Sequence, residues 1–197
     1  MKSSKKVILI SAGDPSSISS EITIKAIKSS KIHKNIMPII ITDPQILNNY
    51  EKININTHDI NEIKDELYFT DYKENKFNVI PIKVLEKPIL GKPNVKNAFF
   101  IKTSILKCVN IQMNSIASAI VTNPINKKIM YEAGFKFSGH TEFLASLSVK
   151  KKQPVMMLVA KDLRTIPLTI HVPFKEVSKL ISKELIILTI NIAKEYL

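Results

Sequence analysis

Residues 119–145 read AIVTNPINKKIMYEAGFKFSGHTEFLA, and the way apolar and turn-forming residues alternate along this stretch decides the fold. Ala119, Ile120 and Val121 form an apolar run that stops at Thr122-Asn123-Pro124, the pattern of a buried strand entering a turn. Ile125, Ile129 and Ala133 recur at i, i+4 and i+8, which predicts a short helix, and Gly134 stands where a helix C-cap would. Ser138-Gly139-His140-Thr141-Glu142 then leads into Phe143, Leu144 and Leu147, so His140 and Thr141 are predicted in the first turn of a helix. Free N–H groups and the positive end of the helix dipole point outward there. A glycine lets an anion approach the backbone, and the imidazole and hydroxyl add donors for a phosphate or carboxylate. Taken alone, G-H-T-E is better explained as a capped helix with an exposed histidine.

Outward from this stretch, strands and helices alternate. Val7 to Ile10 is continuously apolar, as in a strand covered on both faces of a parallel sheet. Gly13-Asp14-Pro15 turns the chain, and a helix is expected from Glu21 with Ile22, Ala26 and Ile27 on its inner face. A second strand is expected over residues 35–42, then a helix opened by a capping Asp43 and Pro44. Residues 51–75 read as polar surface, His33 and His58 as surface residues, and 77–85 as another strand. Residues 95–116 form an amphipathic helix with one stripe through Val95, Ala98, Phe99, Ile105, Leu106, Val109, Met113 and Ile116. Cys108 beside it is expected to be a buried, inert thiol. Strands are expected over 155–160 and 164–171, the second ending at His171. Two helices follow, one starting at Pro173 with Phe174, Val177, Leu180 and Ile181 inward, the other spanning 183–196.

Composition narrows the function classes. The 197 residues are 45% hydrophobic, enough for one sizeable core or a domain and a half. The net charge of +12 invites a nucleic-acid reading. However, Arg164 is the single arginine, and the lysines are scattered rather than gathered in a stripe, so a solvated lysine surface is the better account and no nucleic-acid partner is expected. One cysteine permits no disulfide within the chain and no cysteine zinc site. The N-terminal apolar run is too short for a signal-peptide core and no stretch has the length of a membrane span, so no membrane association and a cytoplasmic location are expected.

The motifs V-T-N-P-I-N-K and A-G followed by G-H-T-E-F-L-A together resemble the family of 4-hydroxythreonine-4-phosphate dehydrogenases of pyridoxal phosphate biosynthesis. The segment M-M-L-V-A-K-D-L-R with T-I-H-V-P resembles it too, and so does Gly13-Asp14-Pro15 with Ile18 and Glu21. The family loop reads roughly G-[DE]-P-x-G-I-G-P-E. Ser17 and Ser19 replace two of its glycines and Ser20 its proline, which predicts a loop relaxed from the family shape.

The resemblance implies an α/β fold of the isocitrate and isopropylmalate dehydrogenase type, with two αβα domains. Residues 1–124 would be an incomplete first domain and 125–197 the start of the second. It implies NAD-dependent oxidation of 4-phosphooxy-L-threonine, followed by decarboxylation to 3-amino-2-oxopropyl phosphate. His140 and Thr141 would bind the substrate and His171 a divalent metal (Zn, Mg or Mn); Lys127 matches a family lysine without a defined role. The family motifs N-P-H-A-G-E and H-D-Q, with two further metal histidines, are absent from this sequence, as is most of the cofactor site. One histidine against the about three ligands of a catalytic zinc-type site predicts weak metal binding by this chain alone. A truncated or split enzyme is therefore expected, from a homodimeric family and completed by a C-terminal fragment. The alternatives are an inactive remnant, a dehydrogenase of another phosphorylated hydroxy acid and, less well supported, a basic nucleic-acid-binding protein.

Overall fold

The structure is a computed structural model that describes residues 5–29, 32–48, 59–148 and 153–196. His58 lies outside them, and His33 is exposed as expected. The chain divides into two compact units, Met1–His140 and Thr141–Leu197.

The first unit is built on a five-stranded, wholly parallel sheet. Its strands are β1 (Lys6–Ser11), β2 (Ile36–Thr42), β3 (Ile60–Glu62), β4 (Phe77–Pro81) and β5 (Ala117–Val121), in the order β3-β4-β2-β1-β5. Helices α1 (Ser19–Lys28), α2 (Pro44–Asn48), α3 (Ala98–Asn114) and α4 (Lys127–Glu132) connect or follow the strands. The continuous apolar character of β2 has the expected cause, because Ile39, Ile40 and Ile41 are all buried.

Burial falls away toward β5. The run at 119–121 is a strand, but Ala119 and Val121 are exposed, Val121 at 49%. The expectation of a buried strand is corrected here. β5 pairs with β1 on one side and is the last strand of the sheet, so its outer edge has no strand neighbour among the described residues.

α3 packs on β1, β2 and β5. Ala98, Ile101, Ile105, Cys108 and Ile111 are its buried side, while Phe99, Leu106 and Met113, seven residues apart, are exposed. The single stripe expected over 95–116 is thus two stripes, of which one is core. Buried Ser104 on this helix accepts from Ala12 N (2.7 Å) and donates to Ile41 O (2.8 Å), tying together the chain after β1 and the end of β2. α1 also differs from expectation. It buries Ser20, Thr23 and Ile24, whereas Ile22 and Ala26 are exposed, and its inner side meets a polar loop group, Asn123, whose Nδ2 donates to Thr23 Oγ1. Asp43 caps α2 as expected, accepting from Gln45 N (2.9 Å), and also accepts from Val84 N (3.0 Å). The polar stretch read as surface contains β3 and the buried Ile63 and Phe69.

The second unit contains most of α5 (His140–Leu147), the antiparallel pair β6 (Leu158–Ala160) and β7 (Leu163–Thr165), α6 (Phe174–Leu180) and α7 (Lys183–Tyr196). The helices fall where the sequence places them. The strands expected over 155–160 and 164–171 shrink to three residues each. Pro167 offers no N–H to a ladder, and β6 and β7 pair with no other strand among the described residues. Phe143 is the one buried apolar side chain among the described residues of this unit; Phe174 is 94% exposed, and Ile187, Leu188 and Ile190 are exposed on α7. No helix among the described residues is long and apolar enough to cross a membrane.

Candidate functional site

The turns that follow β1 and β5 meet at the end of the parallel sheet where open α/β folds place ligand crevices. Gly13 has φ +69°, and a Cβ on it would meet Ser19 Oγ at 2.6 Å and Pro124 O at 2.7 Å, so only glycine fits. Asp14 N donates to Pro124 O (2.9 Å). Buried Asn123 joins the same two turns: its Nδ2 donates to Ser11 O and to Thr23 Oγ1, both at 2.7 Å, and its backbone N donates to Ser11 Oγ (3.2 Å).

Ser17 and Ser19 do not relax this loop. Neither has a positive φ, so neither occupies the conformation for which glycine would be needed. Ser17 Oγ donates to Asp14 O (2.8 Å), Ser19 N donates to Ser17 Oγ (3.2 Å), and Ser19 Oγ donates to Pro124 O (3.0 Å). The hydroxyls replace glycine freedom with fixed hydrogen bonds, which corrects the expectation drawn from the missing glycines.

A cleft of about 680 Å³ opens beside this loop, lined by Asp14, Ser16, Leu90, Pro124 and Lys127 among others. Lys127 is the first residue of α4, whose N-cap Asn126 accepts from Lys128 N (3.1 Å) and Ile129 N (3.4 Å). Gly134 (φ +82°) ends that helix region as expected, with Phe135 N donating to Met130 O (2.9 Å).

α5 begins at His140, as the sequence predicted. The imidazole is half-buried and its Nε2 has no hydrogen-bond partner. Burial, and then the charge of Lys127, hold its pKa below the ordinary histidine value. A neutral ring with a free nitrogen beside an ammonium suits a hydrogen bond to an anionic ligand. Thr141 is half-buried and lines an apolar cleft of about 450 Å³ within the second unit, with Leu144, Pro154 and Ile192. His171 is exposed and stands at φ +57°, a left-handed conformation uncommon outside glycine. Among the described residues no three His, Cys, Asp or Glu side chains come together as a metal group. The described residues of this chain do not by themselves fit a divalent metal.

The family described as Pyridoxal phosphate biosynthetic protein PdxA matches residues 34–197. The chain belongs to that family. A 4-hydroxythreonine-4-phosphate dehydrogenase of Wigglesworthia glossinidia brevipalpis is 34% identical over 182 residues, 91% of this chain and 53% of the relative. One of Zymomonas mobilis is 33% identical over 92% of this chain and 53% of its own length. A crystal structure of a 4-hydroxythreonine-4-phosphate dehydrogenase from Klebsiella pneumoniae superposes with a TM-score of 0.82 at 21% identity, over 98% of this chain and 59% of that one. One from Burkholderia phymatum gives 0.81 at 25% identity, over 94% and 56%. The αβα fold of this PdxA-family chain is thereby fixed, and the chain spans about half the length of the curated relatives it matches.

Of the residues singled out from sequence, the structure brings Lys127 within electrostatic reach of His140 and places Thr141 next in the same helix. It brings no metal group to His171 among the described residues. Sequence reading noted Asp14 as a family match but missed its burial, and missed Asn123 as a clamp. A polar residue ending an apolar run, directly before proline, was the available signal for Asn123.

Proposed function

We propose that this chain carries part of the active site of an NAD-dependent 4-hydroxythreonine-4-phosphate dehydrogenase, and that residues matching the rest of the family length complement it. The reading rests on one observation. Relatives that bear this name align with about nine-tenths of the chain, while the chain spans about half of them. Among the described residues, the uncovered apolar side chains of α7 and the open edge of β5 leave surface that such a complement would cover. In this reading residues 1–124 belong to the first αβα domain and 125–197 begin the second, and the cytoplasmic enzyme is a homodimer of completed protomers.

NAD would accept a hydride from the secondary alcohol of 4-phosphooxy-L-threonine, and the resulting β-keto acid would lose CO2. This chain would contribute His140 and Thr141 to substrate binding, with Lys127 adding positive charge, and His171 as one ligand of a metal completed elsewhere. The test is NADH absorbance with 4-phosphooxy-threonine, NAD and Mg²⁺, Mn²⁺ or Zn²⁺. The expected result is no turnover by the 197-residue chain, turnover after mixing with a polypeptide carrying the other half of the family length, and loss with His171→Ala. Steady turnover by the chain alone would refute the need for a complement, and silence in every mixture would refute the function.

A further inference from the structure

One buried side chain, Asn123, ties the turn after β5 to two elements distant along the chain. Its Nδ2 donates to Ser11 O at the end of β1 and to Thr23 Oγ1 on α1, both at 2.7 Å. Thr23 Oγ1 donates in turn to Ser19 O (2.9 Å), and Ser19 Oγ donates to Pro124 O (3.0 Å), so the bonds return to the same turn. The joint has no slack, because a Cβ on Gly13 would stand 2.7 Å from Asn123 Cβ. The turn leads through the N-cap Asn126 to Lys127, the first residue of α4. Buried Ile129 and Met130 fix which side of this short helix faces the core. The turn fixes where its first residue stands. Lys127 lines the cleft of about 680 Å³, and its charge acts on His140. Coulomb energy falls with separation, so the place from which the flexible lysine stem starts decides how strongly the ammonium is felt there.

We propose that Asn123 is a positioning residue of the candidate substrate site: by tying the turn after β5 to β1 and α1, it holds Lys127 in the cleft wall within electrostatic reach of His140. The inference deepens the proposed dehydrogenase reading and rests on it for calling this a substrate site, but its effect on His140 is observable without turnover. Asn123 touches neither side chain itself; it acts on His140 through the backbone that carries Lys127. A carboxamide suits this joint, since it offers two donors to two acceptors that belong to different elements. Alanine offers none, so the turn loses both ties while Ile129 and Met130 still hold α4 to the core. A purely structural Asn123 would lower stability on truncation and leave His140 as it is. A positioning Asn123 changes His140 as removal of the Lys127 ammonium does, and changes nothing further once that ammonium is gone.

The experiment is a double-mutant cycle read by proton NMR titration of the His140 ring in the 197-residue chain. Lys127→Ala is expected to raise the His140 pKa, because it removes the ammonium and leaves burial in place. Asn123→Ala should shift it in the same direction, and the double variant should titrate like Lys127→Ala alone. Thr23→Val keeps the side-chain shape but removes the acceptor, so it should give the same upward shift in smaller measure. It carries the test should Asn123→Ala fail to fold by circular dichroism. An unchanged His140 pKa in a folded Asn123→Ala chain, or in Thr23→Val where that variant carries the test, would make the joint structural only and overturn the proposal. Additive shifts in the cycle would overturn it too, since Asn123 would then act on His140 through burial and not through Lys127. In the enzyme completed by the rest of the family length, Asn123→Ala should raise KM for the phosphorylated substrate about tenfold with kcat little changed. A fall in kcat at constant KM would overturn the proposal. Failure of every mixture to turn over, with the cycle as expected, would count against the proposed function and not against the positioning of Lys127.

Discussion

The two units carry similar sequence patterns and end in opposite states. In the first, Leu9, Ile39, Ile41, Phe100 and Ile101 are at most 1% exposed, and a helix and a parallel sheet cover one another. In the second, α7 has an amphipathic pattern too, yet Ile187, Leu188 and Ile190 remain exposed and α6 buries nothing. Periodicity makes an element; a second layer makes a core. The lesson is that hydrophobic pattern reports where a residue needs cover, not whether this chain supplies it.

The largest expected effect sets these units against each other. Leu9→Ala should cost about 2–5 kcal/mol in chemical unfolding, as full truncation in a packed core does. Leu188→Ala should change stability by within about 0.5 kcal/mol, as for a surface position. Equal costs would mean that α7 is covered in solution, and adding a complementing polypeptide should create that equality.

A smaller effect is expected at the joint between the turns after β1 and β5. Asn123→Ala leaves buried Ser11 O without the Nδ2 donor and should cost about 1–3 kcal/mol. Within the same loop, Ser19→Gly should destabilise by about 1–2 kcal/mol, because it removes the bond to Pro124 O and frees the unfolded chain. A stabilising Ser19→Gly would restore the idea that the serines strain this loop.

These loop residues mark the limit of what the sequence makes legible. The parallel α/β class, the position of the long helix and the start of α5 follow from apolar runs, spacing and capping residues such as Asp43. The resemblance carried the family and pointed to His140 and Thr141. What remained hidden depends on contacts distant along the chain. Whether Ser19 replaces glycine harmlessly depends on Pro124, more than a hundred residues away, and on a φ that composition does not reveal. The α3 stripe was read as one face because Phe99 and Ile105 are equally apolar; only the sheet beneath the helix separates them. The unpaired Asp14 Oδ2 is likewise a property of packing.

Cys108 checks the closed side of the comparison chemically. Burial pushes its thiol up to about 12, so almost no thiolate exists at neutral pH. Modification by a disulfide reagent should follow opening of the first unit, and denaturant should accelerate it in step with loss of circular dichroism. Prompt labelling of the native chain would show that the α3 core opens as readily as the second unit.

The smallest effect concerns His140, where the closed unit gives way to the open one. Its pKa is lowered first by burial and second by Lys127. The folded state therefore binds its proton less readily than the unfolded state, whose value is about 6.5. By linkage the contribution to stability is fully present above that value and is lost as pH falls toward and through the lower folded value. Lys127→Ala removes the lesser cause, so it should raise the His140 pKa while leaving it below the ordinary value, and should flatten the stability loss in that acidic window. Proton NMR of the His140 ring in the wild-type chain and the variant reads both. An unchanged pKa in Lys127→Ala would place the ammonium too far away to act on His140, and the shared positive end of the candidate substrate site would have to be given up.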